Sequence, residues 1–216
     1  NYNIGSFNTN LYLMEYNTQL ITTGEVYDVG AYIRENVKKS RTFGVELTNL
    51  LNTKDFYINS SLSLSRNLVY NFNETLYDYG ADFSQYNIIE NKYDITDLAF
   101  SPGVLLNNHF EWKANKFLSF ILNSKYVGKQ YLDNTSNEKR VLKDFLINDF
   151  KIQTNLTNNV FNNLFFKIEI NNIFNVKYSS NGYTFGYYGG MDYEVRENYF
   201  YPQATRNIMF SISIEI

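Results

Sequence analysis

Apolar and polar residues alternate with period two in segment after segment, and this limits the chain's possible folds more than any other feature. Between Leu164 and Asn171, Leu164, Phe166, Ile168 and Ile170 share one face and Lys167, Glu169 and Asn171 the other. Ile208, Phe210, Ile212, Ile214 and Ile216 alternate with Met209, Ser211, Ser213 and Glu215. Leu146, Phe150 and Ile152 oppose Asp149, Lys151 and Gln153, and Leu118, Phe120 and Leu122 oppose Ser119 and Asn123. Phe56, Ile58, Leu62 and Leu64 oppose Asn59, Ser61, Ser63 and Ser65, and Phe43, Val45 and Leu47 oppose Gly44, Glu46 and Thr48. Phe110 and Trp112 oppose His109 and Glu111, and a less cleanly phased first strand is expected near Phe7 to Thr22. About eight strands result, most longer than the ~9–11 residues a tilted strand needs to cross a bilayer. Alternation alone also suits a soluble sandwich.

Composition agrees with an all-β chain. Among 216 residues there are 20 Tyr and 18 Phe, which favour strands, and only 2 Pro, which suits unbroken ladders. The absence of Cys excludes disulfides and thiolate metal sites. The net charge of −3 comes without a basic stripe, so nucleic acid is not expected as a partner. No apolar run is long enough for a transmembrane helix, but alternating barrel strands escape a hydropathy window. The chain starts at Asn1 with neither an initiator Met nor a signal peptide, as expected for a processed product or a piece of something longer.

The connections supply a second cue. Those near Asn52 to Asp55, Ala114 to Lys116 and Thr157 to Asn163 are short. Those near Thr23 to Ile33, Asn73 to Asp94, Asp133 to Arg140 and Gly186 to Glu197 are longer. Strict alternation of short and long is the habit of outer-membrane barrels, with short periplasmic turns and longer extracellular loops. Phe56, Tyr57, Trp112 and Phe117 lie by short turns, and Tyr70, Phe72, Tyr126, Tyr131 and Tyr178 toward long loops, as two interfacial aromatic belts would require. The expected fold is therefore an antiparallel transmembrane β-barrel segment, with no domain boundary inside it.

Three stretches carry a more specific likeness: YVGKQYLDNTSN (Tyr126 to Asn137), NNIFNVKYSSNGYTF (Asn171 to Phe185) and YFYPQATRNIMFSISIEI (Tyr199 to Ile216). Leu11 to Glu25 and Asp94 to Trp112 fit the same pattern more weakly. Together they resemble the last strands of TonB-dependent outer-membrane receptors, particularly those of Bacteroidetes-type bacteria. The resemblance implies a barrel of about 22 strands around an N-terminal plug, of which this chain supplies the C-terminal part without the plug. It implies location in the outer membrane of a Gram-negative bacterium, lipid around the barrel, and a TonB complex acting through the plug. The cargo it implies is a scarce metal chelate such as a siderophore, haem or cobalamin. SNGYTFGYYGG (Ser180 to Gly190) stands where glycan-importing relatives carry a Gly-Tyr-Asp-Pro-Glu-like stretch, which favours the chelate branch. The family usually ends on Phe, whereas this chain ends on Ile216.

Candidate ligand contacts are Tyr187, Tyr188, Arg196 and Tyr199, in an aromatic stretch that Gly182, Gly186, Gly189 and Gly190 would let adapt. Asp133, Asn134 and Glu138 in one loop, and Asp78 and Asp82 in another, offer oxygen ligands without EF-hand spacing, so no metal site or cofactor is expected. No enzyme activity is expected either. His109, the only His, falls on the polar phase with Glu111, against a lipid hydrolase that would need it beside a lipid-facing Ser. A second reading is a complete eight-stranded barrel acting as adhesin or anchor. Two structural expectations separate these readings. Phe166, Ile168, Ile170, Phe210, Ile212 and Ile214 should face lipid, with Lys167, Glu169, Ser211 and Ser213 inward. In a receptor segment, Phe7 to Thr22 should not pair with Ile208 to Ile216; in the small barrel it should.

Overall fold

A computed structural model describes residues 4–26, 32–156, 163–191 and 193–215. In chain order the strands are β1 (Ile4–Tyr16), β2 (Gln19–Val26), β3 (Tyr32–Val37), β4 (Ser40–Asn52), β5 (Phe56–Asp78), β6 (Asn87–Asp97), β7 (Val104–Lys113) and β8 (Leu118–Val127). They continue as β9 (Gln130–Tyr131), β10 (Val141–Leu142), β11 (Phe145–Leu156), β12 (Asn163–Asn171), β13 (Ser179–Tyr187), β14 (Val195–Pro202) and β15 (Asn207–Glu215). Eight form one antiparallel wall in the order β1-β4-β5-β7-β8-β11-β12-β15. Among the described residues no ladder joins β1 to β15, so the wall is open and both edge strands present an unpaired side.

The remaining strands extend the wall beyond one rim. β2 pairs β3, β6 pairs the far half of β5, β9 pairs β10 and β13 pairs β14. Each long connection therefore carries strand pairing: β6 joins the sheet of the wall through β5, and the other three pairs form two-stranded sheets of their own. This revises two expectations. The first strand does not run unbroken from Phe7 to Thr22, because a bend at Asn17–Thr18 separates β1 from β2. Nor is Asn73 to Asp94 mainly loop, because β5 runs 23 residues to Asp78 and pairs β6 from Leu68 onward. Polar Asn and Glu in that stretch read as loop, yet the ladder between β5 and β6 satisfies the backbone there. At the opposite rim, β4–β5 and β7–β8 are joined by tight turns, the first fastened by Thr53, whose hydroxyl accepts the Phe56 N–H at 2.9 Å. Most of Thr157 to Asn163, part of Thr23 to Ile33, and Ile216 lie outside the described residues.

Register makes the two faces explicit. Phe56, Trp112, Phe120, Ile152, Ile168 and Phe210 are successive cross-strand partners, as are Ile58, Phe110, Leu122, Phe150, Ile170 and Ile208. Rings stack along this face, Trp112 on Phe120 at 5.4 Å and Phe120 on Phe150 at 6.3 Å. Phe210 is 74% exposed and Ile212 66%, so no protein covers the face near the β15 edge. On the other face Lys151 and Lys167 both pair with Glu169, at 2.7 and 3.0 Å. Phe166, Ile168, Ile170, Phe210, Ile212 and Ile214 lie on one face of the β12–β15 ladder, and Lys167, Glu169, Ser211 and Ser213 on the other.

One row breaks the apolar face. Asn49, Ser60, Asn108, Ser124 and Asn148 are successive partners midway along their strands. Ser60 donates to Asn108 at 2.6 Å and Ser124 to Asn148 at 2.7 Å, which offsets the cost of taking hydroxyl and amide out of water.

Apolar burial concentrates at the outer rim. Ile21, Val69 and Phe72 form one core with Val37, Tyr93 and Leu98, joining the β2–β3 hairpin to β5. Phe72 is thus buried in that core and not in an interfacial belt. Val127, Phe145 and Ile147 form another with Leu105, Val176 and Tyr178, where the segment after β12 folds across the polar face.

Candidate functional site

The outer hairpins bring together chemistry scattered widely along the sequence. The loop between β9 and β10 turns back through its own side chains: Asp133 accepts the Thr135 N–H and hydroxyl at 3.1 and 2.6 Å. Asn134, 1% exposed, then reaches two other hairpins. Its Oδ1 accepts the Ala99 N–H at 2.8 Å and its Nδ2 donates to the Thr22 carbonyl at 2.9 Å. Ser136 Oγ accepts the Asp97 N–H.

The loop closes on an ionic cluster. Arg140 donates to Glu74 at 2.7 Å, Asp133 at 2.9 Å and Glu194 at 3.0 Å. Arg196 donates to Glu74 at 2.7 Å and to Glu194. The Glu74 and Arg140 side chains are 2% and 6% exposed. Asn91 and Tyr93 of β6 also donate to Glu74. Burial by itself would raise the Glu74 carboxyl, but Arg140 and Arg196 outweigh it and hold the group below its ordinary value. Burial, then the charge of Glu74, pushes the Tyr93 phenol up to about 12. Glu74 lies beyond the stretch of β5 that pairs with β4 and β7, outside the wall itself.

Above this cluster is an aromatic group. Tyr77 stacks on Tyr86 at 4.6 Å, and Tyr79 and Phe83 each lie about 6 Å from Tyr187. Asp78 fastens the two segments that carry these rings, accepting the N–H groups of Gly80 and Gly190 at 3.0 Å. Gly190 is required there: its φ is +69°, and a Cβ would strike the Ala81 backbone.

The four candidate contacts have different partners. Tyr187 belongs to the ring group, and the Tyr188 backbone bridges Tyr77 and Tyr79. Tyr199 stacks on Tyr183 at 4.8 Å, and Arg196 is held in the ionic cluster. The five candidate oxygen ligands are already engaged: Asp133 with Arg140, Asn134 with Thr22 and Ala99, Glu138 with Lys129, Asp78 with two glycine N–H groups and Asp82 with Ser84. Gly182 serves close packing, because a Cβ would strike the Tyr199 carbonyl. Sequence reasoning missed Glu74 and Arg140 altogether. Their signal would have been a charge pair in segments otherwise read as loops, and nothing local distinguishes it from solvated charges.

The polar face carries a groove of about 360 Å³ whose lining includes Asn59, Ser61, His109, Asn123, Lys125 and Asp149. His109 Nδ1 lies 2.8 Å from Asn123 Oδ1, and its ring meets Tyr57 edge-on at 5.5 Å.

An open antiparallel wall with one apolar face, tight turns at one rim and tall hairpins at the other is the architecture of a segment of a transmembrane barrel. Solved structures of receptors share it. The siderophore receptor PiuA from Acinetobacter baumannii matches at 15% identity and TM-score 0.68, over 96% of this chain and 26% of its own. The closed form of the ferric-catecholate import receptor Fiu from E. coli K12 matches at 14% and 0.64, over 96% and 25%. P. aeruginosa FpvA in complex with a heterologous pyoverdine and iron matches at 13% and 0.57, over 96% and 24%. The chain thus spans about a quarter of the length of the structures it matches, and its fold is that of their barrel wall. No family model and no curated protein matches the sequence.

Proposed function

We propose that this chain is the C-terminal part of the barrel of an outer-membrane TonB-dependent receptor that imports a scarce metal chelate. The observation that carries the reading is the open wall: two edge strands with unpaired backbone cannot rest in hydrocarbon, where each unsatisfied group costs several kcal/mol. β1 and β15 would therefore pair with further strands of a larger barrel. The share of the siderophore receptors that the chain covers supports the same reading, as do the three stretches resembling TonB-dependent receptors. In this account the polar face, with its Lys151–Glu169–Lys167 pairs, looks toward a plug, and the outer hairpins form part of the ligand vestibule, with Tyr187, Tyr188, Arg196 and Tyr199 as candidate contacts. Binding would involve no covalent chemistry: the chelate is held outside and released when the plug rearranges. A closed eight-stranded adhesin or anchor is disfavoured, because its closing ladder is absent among the described residues.

The test uses the mature protein from its native outer membrane. Its mass should be several-fold above the 25.4 kDa of this chain, and it should bind a ferric tris-catecholate saturably. A mature mass near 25.4 kDa would overturn the receptor reading. A large barrel that binds haem or cobalamin but no ferric catecholate would move the cargo within the chelate class.

A further inference from the structure

The segment 132–140 does more than connect β9 to β10. We propose that it is a strap binding the four outer hairpins of this wall into one rigid body, with Arg140 as its fastening, so that this part of the barrel mouth does not open hairpin by hairpin. This goes beyond the import reading and does not depend on which ligand is carried.

Five hydrogen bonds from three strap residues converge here. Asn134 ties the strap to β2 through the Thr22 carbonyl and to the segment just after β6 through the Ala99 N–H. Ser136 repeats the second tie at Asp97. Arg140 joins it to Glu74 on β5 and to Glu194 before β14. Arg196 on β14 then closes a ring by gripping Glu74 from the other side. The strap is buried where it does this: Asn134 is 1% exposed and Arg140 5%. Buried polar groups of this kind are costly to separate, since each partner left behind loses its hydrogen bonds without regaining water. An ordinary surface loop would instead open locally, independent of its neighbours. The Ile21–Val69–Phe72 core acts in the same sense, fixing the first hairpin to the second by apolar contact.

The discriminating experiment is amide hydrogen exchange on the full-length protein in detergent micelles, comparing native protein with Arg140→Met. Protection should fall about a hundredfold together in β2–β3, the far half of β5 with β6, β9–β10 and β13–β14, while β7, β8, β12 and β15 stay unchanged. Arg140→Lys, which keeps the charge but loses the forked donors, should give a smaller loss with the same four-hairpin signature. Loss confined to β9–β10, with the other hairpins unaltered, would overturn the strap. If Arg140→Met does not fold, the native protein decides: one shared opening free energy for the four hairpins supports the proposal, and four separate ones contradict it.

Discussion

Removing the Arg140 side chain, as in Arg140→Ala, is expected to cost about 3–5 kcal/mol of stability, the usual penalty for stranding a buried charge. The change leaves Glu74, Asp133 and Glu194 facing the single guanidinium of Arg196. Two of those carboxylates, Glu74 and Asp133, are too well covered to recover their hydration, at 2% and 13% exposed. Denaturant titration of the micelle-folded protein, read through near-UV circular dichroism of the outer Tyr residues, measures the loss. Arg41→Ala is the natural control. Arg41 also pairs with a carboxylate, Glu15, but both are exposed at the β1–β4 edge, and this substitution should be close to neutral. Equal effects at Arg140 and Arg41 would show that burial of the cluster carries no weight.

The second large effect belongs to the apolar face. Ile168→Lys puts an ammonium near the middle of β12 on the face that Phe120, Ile152 and Phe210 share, and a Lys facing lipid near mid-depth costs about 2–4 kcal/mol. Lys167→Leu, one residue away on the other face, should cost far less, since Glu169 keeps Lys151 as its partner. Folding into lipid vesicles at graded urea concentrations compares the two. The reverse order, with Lys167→Leu the more damaging, would assign the faces the other way round.

The wall was legible in the sequence because strand phase is local: a strand such as Leu164 to Asn171 declares its two faces in eight residues, and its partners must match them. The alternation of tight turns and long connections was legible for the same reason, since Thr53 and Asn115 mark turns wherever they sit. What could not be read is what depends on distance along the chain. Glu74 and Arg196 are 122 residues apart and look like two unrelated charges until the hairpins carry them together. Asn134 and Thr22 meet across 112 residues. The far half of β5 was misread because Asn71, Asn73 and Glu74 lower strand propensity, while the ladder to β6 and the core around Phe72 outweigh that preference. Asn172 reflects both effects. Its type suits the left-handed backbone it adopts, φ +52°, but only the fold shows its side chain holding the Val176 backbone as that segment crosses the wall.

The proposed placement stands this wall in a bilayer with its Phe- and Ile-rich face outward, as part of a larger barrel. Site-directed spin labels stepped through 165–170 and 209–214 of the membrane-inserted protein test it most directly, by collision with oxygen against a water-soluble nickel chelate. Oxygen maxima are expected at Phe166, Ile168, Ile170, Phe210, Ile212 and Ile214, with minima at Lys167, Glu169, Ser211 and Ser213. Maxima on the Lys167 and Glu169 phase, or no alternation at all on the β15 edge strand, would contradict it.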